Sequence, residues 1–432
     1  VVTGHQLNVA GGPLFFTYKI LATIRACQEL SIKYSEANFV PVYWAATEDH
    51  DYDEINHFFL FGKKVQWEES FENIPVGDIN LKDFDAFIAH WGEIPCEIKS
   101  CYTSSETLKE AHLKLVYHLF GKYGILVLDA NDVKLKQYFS PIAIKEIQGR
   151  FVSENVRQTN HDLEALGYKT QVNPRDCNLF HLQDGKRYRV DIEGDEVSFI
   201  GSDKKLGKQE YIDSIKQRSS SLSANVLLRP VYQQILLPNV AYIGGPGEIA
   251  YWLQLKRMFQ SVDVSFPSLV PRFFGMYIPN FTQNKIDKSG FSTADLFKDL
   301  EQIKKDILWA DEEGQLLISQ LETQFESYKS GVLESLDKEL NLSLKSFAES
   351  AMTRVNKENQ NILKRVKKEL EGRNSVKIDR FKSIKEYLFP DGVPQERRES
   401  VFTYLINNPD FIEQVYQSID PFDYRFNILK DV

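Results

Sequence analysis

Cysteine is scarce and scattered: Cys27, Cys96, Cys101 and Cys177 are the only four in 432 residues, and no two form a Cys-x-x-Cys pair. So large a chain with so few thiols is not held by a disulfide framework, and a reducing cytoplasm is the expected compartment. No apolar run reaches the roughly 18 residues that suggest a membrane span, so no membrane partner is expected, and no signal-peptide pattern opens the chain. Positive charge is in deficit, with 52 basic against 61 acidic residues and a net charge of −9. That balance disfavours bulk binding of nucleic acid, which needs a basic surface, but leaves room for a local basic pocket around one small anion. The Gly-Lys-Ser/Thr of a Walker loop and the Gly-x-Gly-x-x-Gly of dinucleotide binding are also missing. The chain begins at Val1 and meets a glycine within four residues. A buried strand feeding that loop would need several residues more, so a preceding N-terminal segment is expected.

What is present is a repeated rhythm of buried strand, polar strand end and helix. Val1-Val2-Thr3-Gly4 reads as a strand end entering a loop that runs to Gly11-Gly12-Pro13, with an amphipathic helix following to about Leu30. Proline costs little in a first helical turn, where its missing N–H has no helical partner anyway. Residues 39–47 form a second apolar run that stops at Glu48-Asp49-His50-Asp51, before a predicted helix. Residues 124–129, Val240-Ala241-Tyr242-Ile243 and 266–271 repeat the pattern. The series predicts an α/β fold with a parallel sheet and a site at the carboxyl ends of its strands. Residues 152–224 differ, with a turn at Asp184-Gly185 and short strands such as Arg187-Tyr188-Arg189-Val190, and read as an α+β insertion. From about Ser292 proline disappears until Pro390. There Leu317, Leu321, Tyr328, Val332, Leu336, Leu340, Leu344, Phe347, Ala351, Val355, Ile362 and Val366 recur at three- and four-residue steps. An imperfect heptad of this kind predicts long helices in a coiled coil, or a helical pair folded onto the core.

Three segments and one lysine could carry chemistry. Thr3-Gly4-His5-Gln6 with Gly11-Gly12-Pro13 combines close backbone approach with a helix start that favours an anion, although an ordinary tight turn has the same signature. Residues 48–54 hold five carboxylates and His50. Asp49, His50 and Asp51, with His57, suit a divalent metal. Alternatively His50 is a general base whose pKa a neighbouring acid raises, or the acids simply stabilise a helix start. Arg229, Tyr242, Gly244, Gly245 and Glu248 form a second glycine-lined helix start, with Arg229 available for a carboxylate or phosphate and Glu248 for an amine. Tyr251 and Trp252 fit core packing better than ligand stacking. Lys19 belongs on a surface unless a substrate role holds it.

Taken in order, Thr3-Gly4-His5-Gln6, Gly11-Gly12-Pro13, Tyr18-Lys19, Pro41-Val42-Tyr43-Trp44, Glu48-Asp49-His50-Asp51, Arg229-Pro230, Tyr242-Ile243-Gly244-Gly245-Pro246-Gly247-Glu248 and Leu388-Phe389-Pro390-Asp391-Gly392 make a chain that resembles the cysteine-adding enzyme family of bacillithiol biosynthesis. His5 departs from the glutamine usual there. The resemblance implies a Rossmann-like core akin to class I aminoacyl-tRNA synthetases, connecting insertions and a helical coiled-coil arm. It divides the chain into core at 1–65, 113–151 and 225–291, insertions at 66–112 and 152–224, coiled coil at 292–374 and a docking tail at 375–432. The implied reaction joins cysteine by an amide bond to the amine of glucosaminyl malate. Because that step runs uphill in water, ATP-dependent activation of the carboxylate is expected, with Mg2+ as a companion and no structural metal. The implied substrate-binding residues are Thr3, Gly4, His5, Gln6, Gly11, Gly12, Lys19, Arg229, Tyr242, Gly244, Gly245, Glu248 and Trp252, around the catalytic trio Asp49, His50 and Asp51. A homodimer is expected, since symmetric pairs are the commonest assemblies. Two rivals are a metal-dependent hydrolase centred on the same trio and a non-catalytic coiled-coil scaffold.

Overall fold

The apolar runs become short strands. The computed structural model describes residues 1–339 and 344–431 and divides into two units, Val1–Met276 with Val393–Lys430, and Tyr277–Gly392. In chain order the strands of the larger unit are β1 (Val2–His5), β2 (Val42–Ala45), β3 (His57–Leu60), β4 (Lys63–Gln66), β5 (Leu126–Asp129), β6 (Leu179–Gln183), β7 (Lys186–Glu193), β8 (Glu196–Ile200), β9 (Lys205–Gly207), β10 (Leu222–Ala224), β11 (Ala241–Gly244) and β12 (Ser268–Pro271).

Five of them form one sheet in the order β12-β11-β1-β2-β5, parallel throughout. β1, β2 and β11 are buried along nearly their whole length, as expected where helices cover both faces. The chain leaves β1 toward β2 on one side, and β11 later pairs with β1 on the other. That reversal opens a crevice at the carboxyl ends of the strands, the usual ligand position in open parallel sheets. The helix Phe15–Lys33, buried from Phe16 to Ala22, packs behind β1 and carries Lys19 to the crevice.

One expectation fails just beyond β2. Instead of a helix after Asp51 there is a single turn, Tyr52–Ile55, followed by the hairpin β3–β4. Phe58-Phe59-Leu60 is strand-forming, and the hairpin reverses at Phe61 and Gly62, both at positive φ (50° and 77°), as a tight two-residue turn requires.

The insertion is an antiparallel sheet, β10-β6-β7-β8-β9. On β7 the period of two puts Val190 and Ile192 on one face, inside a core shared with Val2, Trp44 and Tyr242. Arg187 and Arg189 take the opposite face. The segment Val393–Lys430 completes the larger unit. Glu396 accepts a bidentate pair of hydrogen bonds from Arg272 Nη1 and Nη2 (3.0 and 2.6 Å), both side chains being buried, and Ser400 Oγ donates to Ala10 O at 3.0 Å.

In the smaller unit, helices Glu312–Glu339 and Lys345–Arg373 pack on each other within one chain, the coiled coil. The seam matches the stripe expected from sequence only in part, at Leu321 and Val366. Ile318, Leu363 and Leu370 are buried with Leu321 and Val366 against them, whereas Leu317, Phe347, Val355 and Ile362 are exposed. Leu340 lies outside the described residues. In the second helix the buried positions Ala348, Met352 and Leu363 each stand one residue after the expected Phe347, Ala351 and Ile362. Hydrophobicity alone does not select the stripe, because Gly314 lets the helices approach so closely that a Cβ there would lie 2.9 Å from Leu370. Leu363→Ala should therefore cost about 2–4 kcal/mol, against about 0.5 kcal/mol or less for Ile362→Ala. Equal urea midpoints for the two variants would refute this seam.

Candidate active site

A cavity of about 630 Å3 opens at the carboxyl ends of β1, β2 and β11 and is closed on its far side by the insertion sheet. Parallel register places Gly4 beside Trp44 and His5 beside Ala45, so the loops after β1 and β2 enter it together.

One wall is built at the strand reversal. Lys19, 2% exposed, donates from Nζ to Gly4 O and to Glu248 Oε2, 2.7 Å away. Glu248 sits three residues into the helix begun at Gly245 and also accepts from Gly245 N–H (2.9 Å) and Tyr242 Oη (2.7 Å). Burial would raise its carboxyl, but Lys19 and these donors hold it down to about 2. Arg229 donates to Gln233 Oε1 and Tyr251 Oη, each at 3.0 Å, and its guanidinium faces the Tyr242 ring. Gly4 permits this approach, since a Cβ there would stand 3.3 Å from both Arg229 Nη1 and Tyr242 Oη.

The acidic segment forms the other wall. Gln6 Nε2 donates to Asp49 Oδ2 (2.9 Å) and Glu54 Oε2 (2.8 Å). Buried Glu48 pairs with buried Lys136 at 3.3 Å. Arg187 reaches across from β7, placing Nη1 2.8 Å from His50 Nδ1 and 3.3 Å from Asp49 Oδ1. Burial first, then Arg187, lower the His50 pKa against the pull of Asp51 and Asp49, the reverse of the expected elevation. His5 is neutral too. Burial and Lys19 bring its pKa to about 3, its Nδ1 accepts from Gln6 N–H, and its ring stacks on Phe15.

Of the residues expected at the site, Gly4, His5, Gln6, Lys19, Asp49, His50, Asp51, Arg229, Tyr242 and Glu248 line the cavity. Thr3, Gly11, Gly12, Gly244, Gly245 and Trp252 do not. Thr3 Oγ1 donates to Ile243 O and ties β1 to β11. Gly11 and Gly12 form a packing turn in which Gly12 N–H is taken by Val9 O and Leu14 N–H by Glu399 O, leaving those donors none for an anion. Trp252 is fully buried and stacked on Tyr242, 4.3 Å between centroids. Arg175, Arg187 and Arg189 were missed, although the spacing of Arg187 and Arg189 on a strand already placed them on one face.

Asp49, His50 and Asp51 bring ligand atoms within 4.8 Å of one another, as a metal centre would. The Arg187 guanidinium already occupies Asp49 Oδ1 and His50 Nδ1, however, and it cannot be deprotonated. His57 stands outside the group, with Nδ1 3.0 Å from Asn56 Oδ1. The hydrolase reading is not favoured.

A crevice at the reversal of a parallel sheet, walled by an insertion and lined by fixed charges, defines an enzyme on a Rossmann-like core. Two family profiles match in succession: "Bacillithiol biosynthesis BshC, N-terminal Rossmann-like domain" over residues 1–273 and "Bacillithiol biosynthesis BshC, C-terminal coiled-coil domain" over 275–430. The chain is 35% identical to a protein of Cytophaga hutchinsonii (98% of this chain, 80% of the relative) and 32% identical to one of Flavobacterium johnsoniae (99% and 82%). Both carry the name "Putative cysteine ligase BshC". The chain belongs to the BshC family, the cysteine ligases of bacillithiol biosynthesis. A crystal structure of an arginyl-tRNA synthetase, so titled with the same qualifier, from Campylobacter jejuni covers 92% of each chain at 10% identity. Its TM-score of 0.30 carries no argument, so the expected kinship with synthetases gains nothing from it. Among the described residues no helix is long and apolar enough to cross a membrane.

Proposed function

We propose that this chain joins the carboxyl group of cysteine to the amine of glucosaminyl malate, with ATP, accompanied by Mg2+, activating the carboxylate. The charges left over in the cavity support this reading. Among the described residues, Glu48, Asp49 and Glu248 each have a cationic partner, whereas Asp51 has none. Arg175, Arg189 and Arg229 line the same cavity and have no carboxylate partner among the described residues. One acid without a cation, lining a cavity with three guanidinium groups that lack a carboxylate, suits an amine presented beside carboxylates and phosphates, since arginine binds both anions through paired N–H donors. The same arginines fit the nucleotide, which when bound supplies a leaving group for the cysteine carboxylate. Asp51 would hold the attacking amine and accept its proton as the C–N bond forms. The test incubates the protein with cysteine, glucosaminyl malate and ATP, follows the amide product by mass spectrometry, and resolves AMP from ADP by chromatography. Product formation tied to ATP cleavage is expected. Amide formation without nucleotide consumption would overturn the activation step, and no product at all would overturn the reading.

A further inference from the structure

The insertion sheet touches the acidic segment through Arg187, and that contact decides which nitrogen of His50 carries the proton. Arginine only donates hydrogen bonds, so a guanidinium nitrogen 2.8 Å from His50 Nδ1 requires a lone pair there. Asp49 Oδ1 is 3.8 Å from the same nitrogen, beyond hydrogen-bond reach. Asp49 instead accepts from Arg187, from Gln6 and from the His50 backbone N–H at 2.8 Å. An acid orienting a basic imidazole is thus replaced by a cation holding the imidazole from behind. The cation itself is fixed. Arg187 is 6% exposed, donates from Nε to Ser223 Oγ and from Nη2 to Ala224 O (2.9 Å each), and lies 3.9 Å over the Phe180 ring.

With Nδ1 committed, the proton of neutral His50 sits on Nε2, which has no protein acceptor among the described residues, and His50 lines the cavity. We propose that Arg187 is a positioning residue that locks His50 as an Nε2–H donor, so that His50 gives a hydrogen bond to the anionic oxygen of the reacting carboxyl group and takes no proton from the amine. The tautomer stands on geometry alone, and only the identity of the oxygen rests on the ligase reading. The lowered His50 pKa agrees, because an imidazolium would lose the Arg187 contact. A preorganised donor aimed at developing negative charge is worth about 10²–10³-fold in rate.

Two measurements test this. In protein labelled with 15N-histidine, two-bond 1H–15N correlation spectra at pH 7.5, with His50 assigned by its loss in His50→Gln, should show a bare Nδ1 and a protonated Nε2. Arg187→Met should release that preference. A proton on Nδ1, or an imidazolium, in the wild-type protein would overturn the proposal whether or not any variant folds. Second, glutamine can donate from nearly the same place but cannot act as a base. His50→Gln should therefore keep activity within about tenfold of wild type, while His50→Ala loses about 10²–10³-fold. If the glutamine variant is as inactive as the alanine variant while its melting temperature is unchanged, His50 is a base and the proposal fails. If wild-type protein makes no product from the proposed substrates, the spectra alone decide the tautomer, and it is the reaction that falls.

Discussion

Lys19→Met should cost the larger unit about 1–3 kcal/mol of stability and abolish turnover, because it strips the partly exposed Glu248 carboxylate of its counter-ion. Methionine replaces the aliphatic stem but leaves Glu248 with only the Tyr242 hydroxyl and the Gly245 N–H. The double variant Lys19→Met/Glu248→Gln should recover most of the stability, since a neutral amide needs no counter-ion. Urea midpoints of the four proteins complete the cycle, and a Lys19→Met midpoint equal to wild type would show that the pair contributes nothing.

The same pair fixes the sign of an acid effect. The Glu248 carboxyl falls from 4.5 to about 2 on folding, so its contribution is present above about 4.5 and is lost as pH drops toward 2. At 1.36 kcal/mol per pKa unit the carboxylate's share is on the order of 3 kcal/mol. Burial lowers the Lys19 pKa at the same time, so the pair's net contribution is smaller. Glu248→Gln should flatten the stability profile between pH 4.5 and 2.

Arg229→Leu is expected to lower kcat/KM by about 10²–10³-fold with little change in stability. Its guanidinium is held by neutral groups, Gln233 and Tyr251, so removing it strands no buried charge. Arg229→Lys keeps the charge but loses the planar fork, and should fall between wild type and leucine. Wild-type kinetics in the leucine variant would take Arg229 out of substrate binding, whereas a large loss of stability would place it among the structural ions with Lys19.

The parallel sheet was legible because its strands are apolar runs, four of the five leading into a glycine or an acid, and those ends carried Gly4, Asp49, His50 and the Tyr242–Glu248 segment into the site. The partnerships were not legible. Glu48 and Asp49 looked like free acids of one cluster, yet their cations, Lys136 and Arg187, come from distant segments. The acidic run therefore reads as more reactive than it is: of the carboxylates lining the cavity, only Asp51 lacks a cationic partner among the described residues. Gly11-Gly12 was misread for a different reason. A glycine turn before a helix has the same composition whether its N–H groups meet an anion or a carbonyl, and here Leu14 N–H meets Glu399 O, from the far end of the chain.

That far end has a consequence for synthesis. Arg272 precedes its carboxylate partner by 124 residues, and Ala10 precedes Ser400 by 390. At about 5–20 residues per second the second interval lasts roughly 20–80 seconds. Throughout it the first strand and its loop exist without the segment that closes over them, while the intervening helices, whose contacts are local, are free to form. A ribosome stalled or a chain clipped before Val393 would leave the Arg272 guanidinium without its counter-ion, so residues made late act as the latch on residues made early.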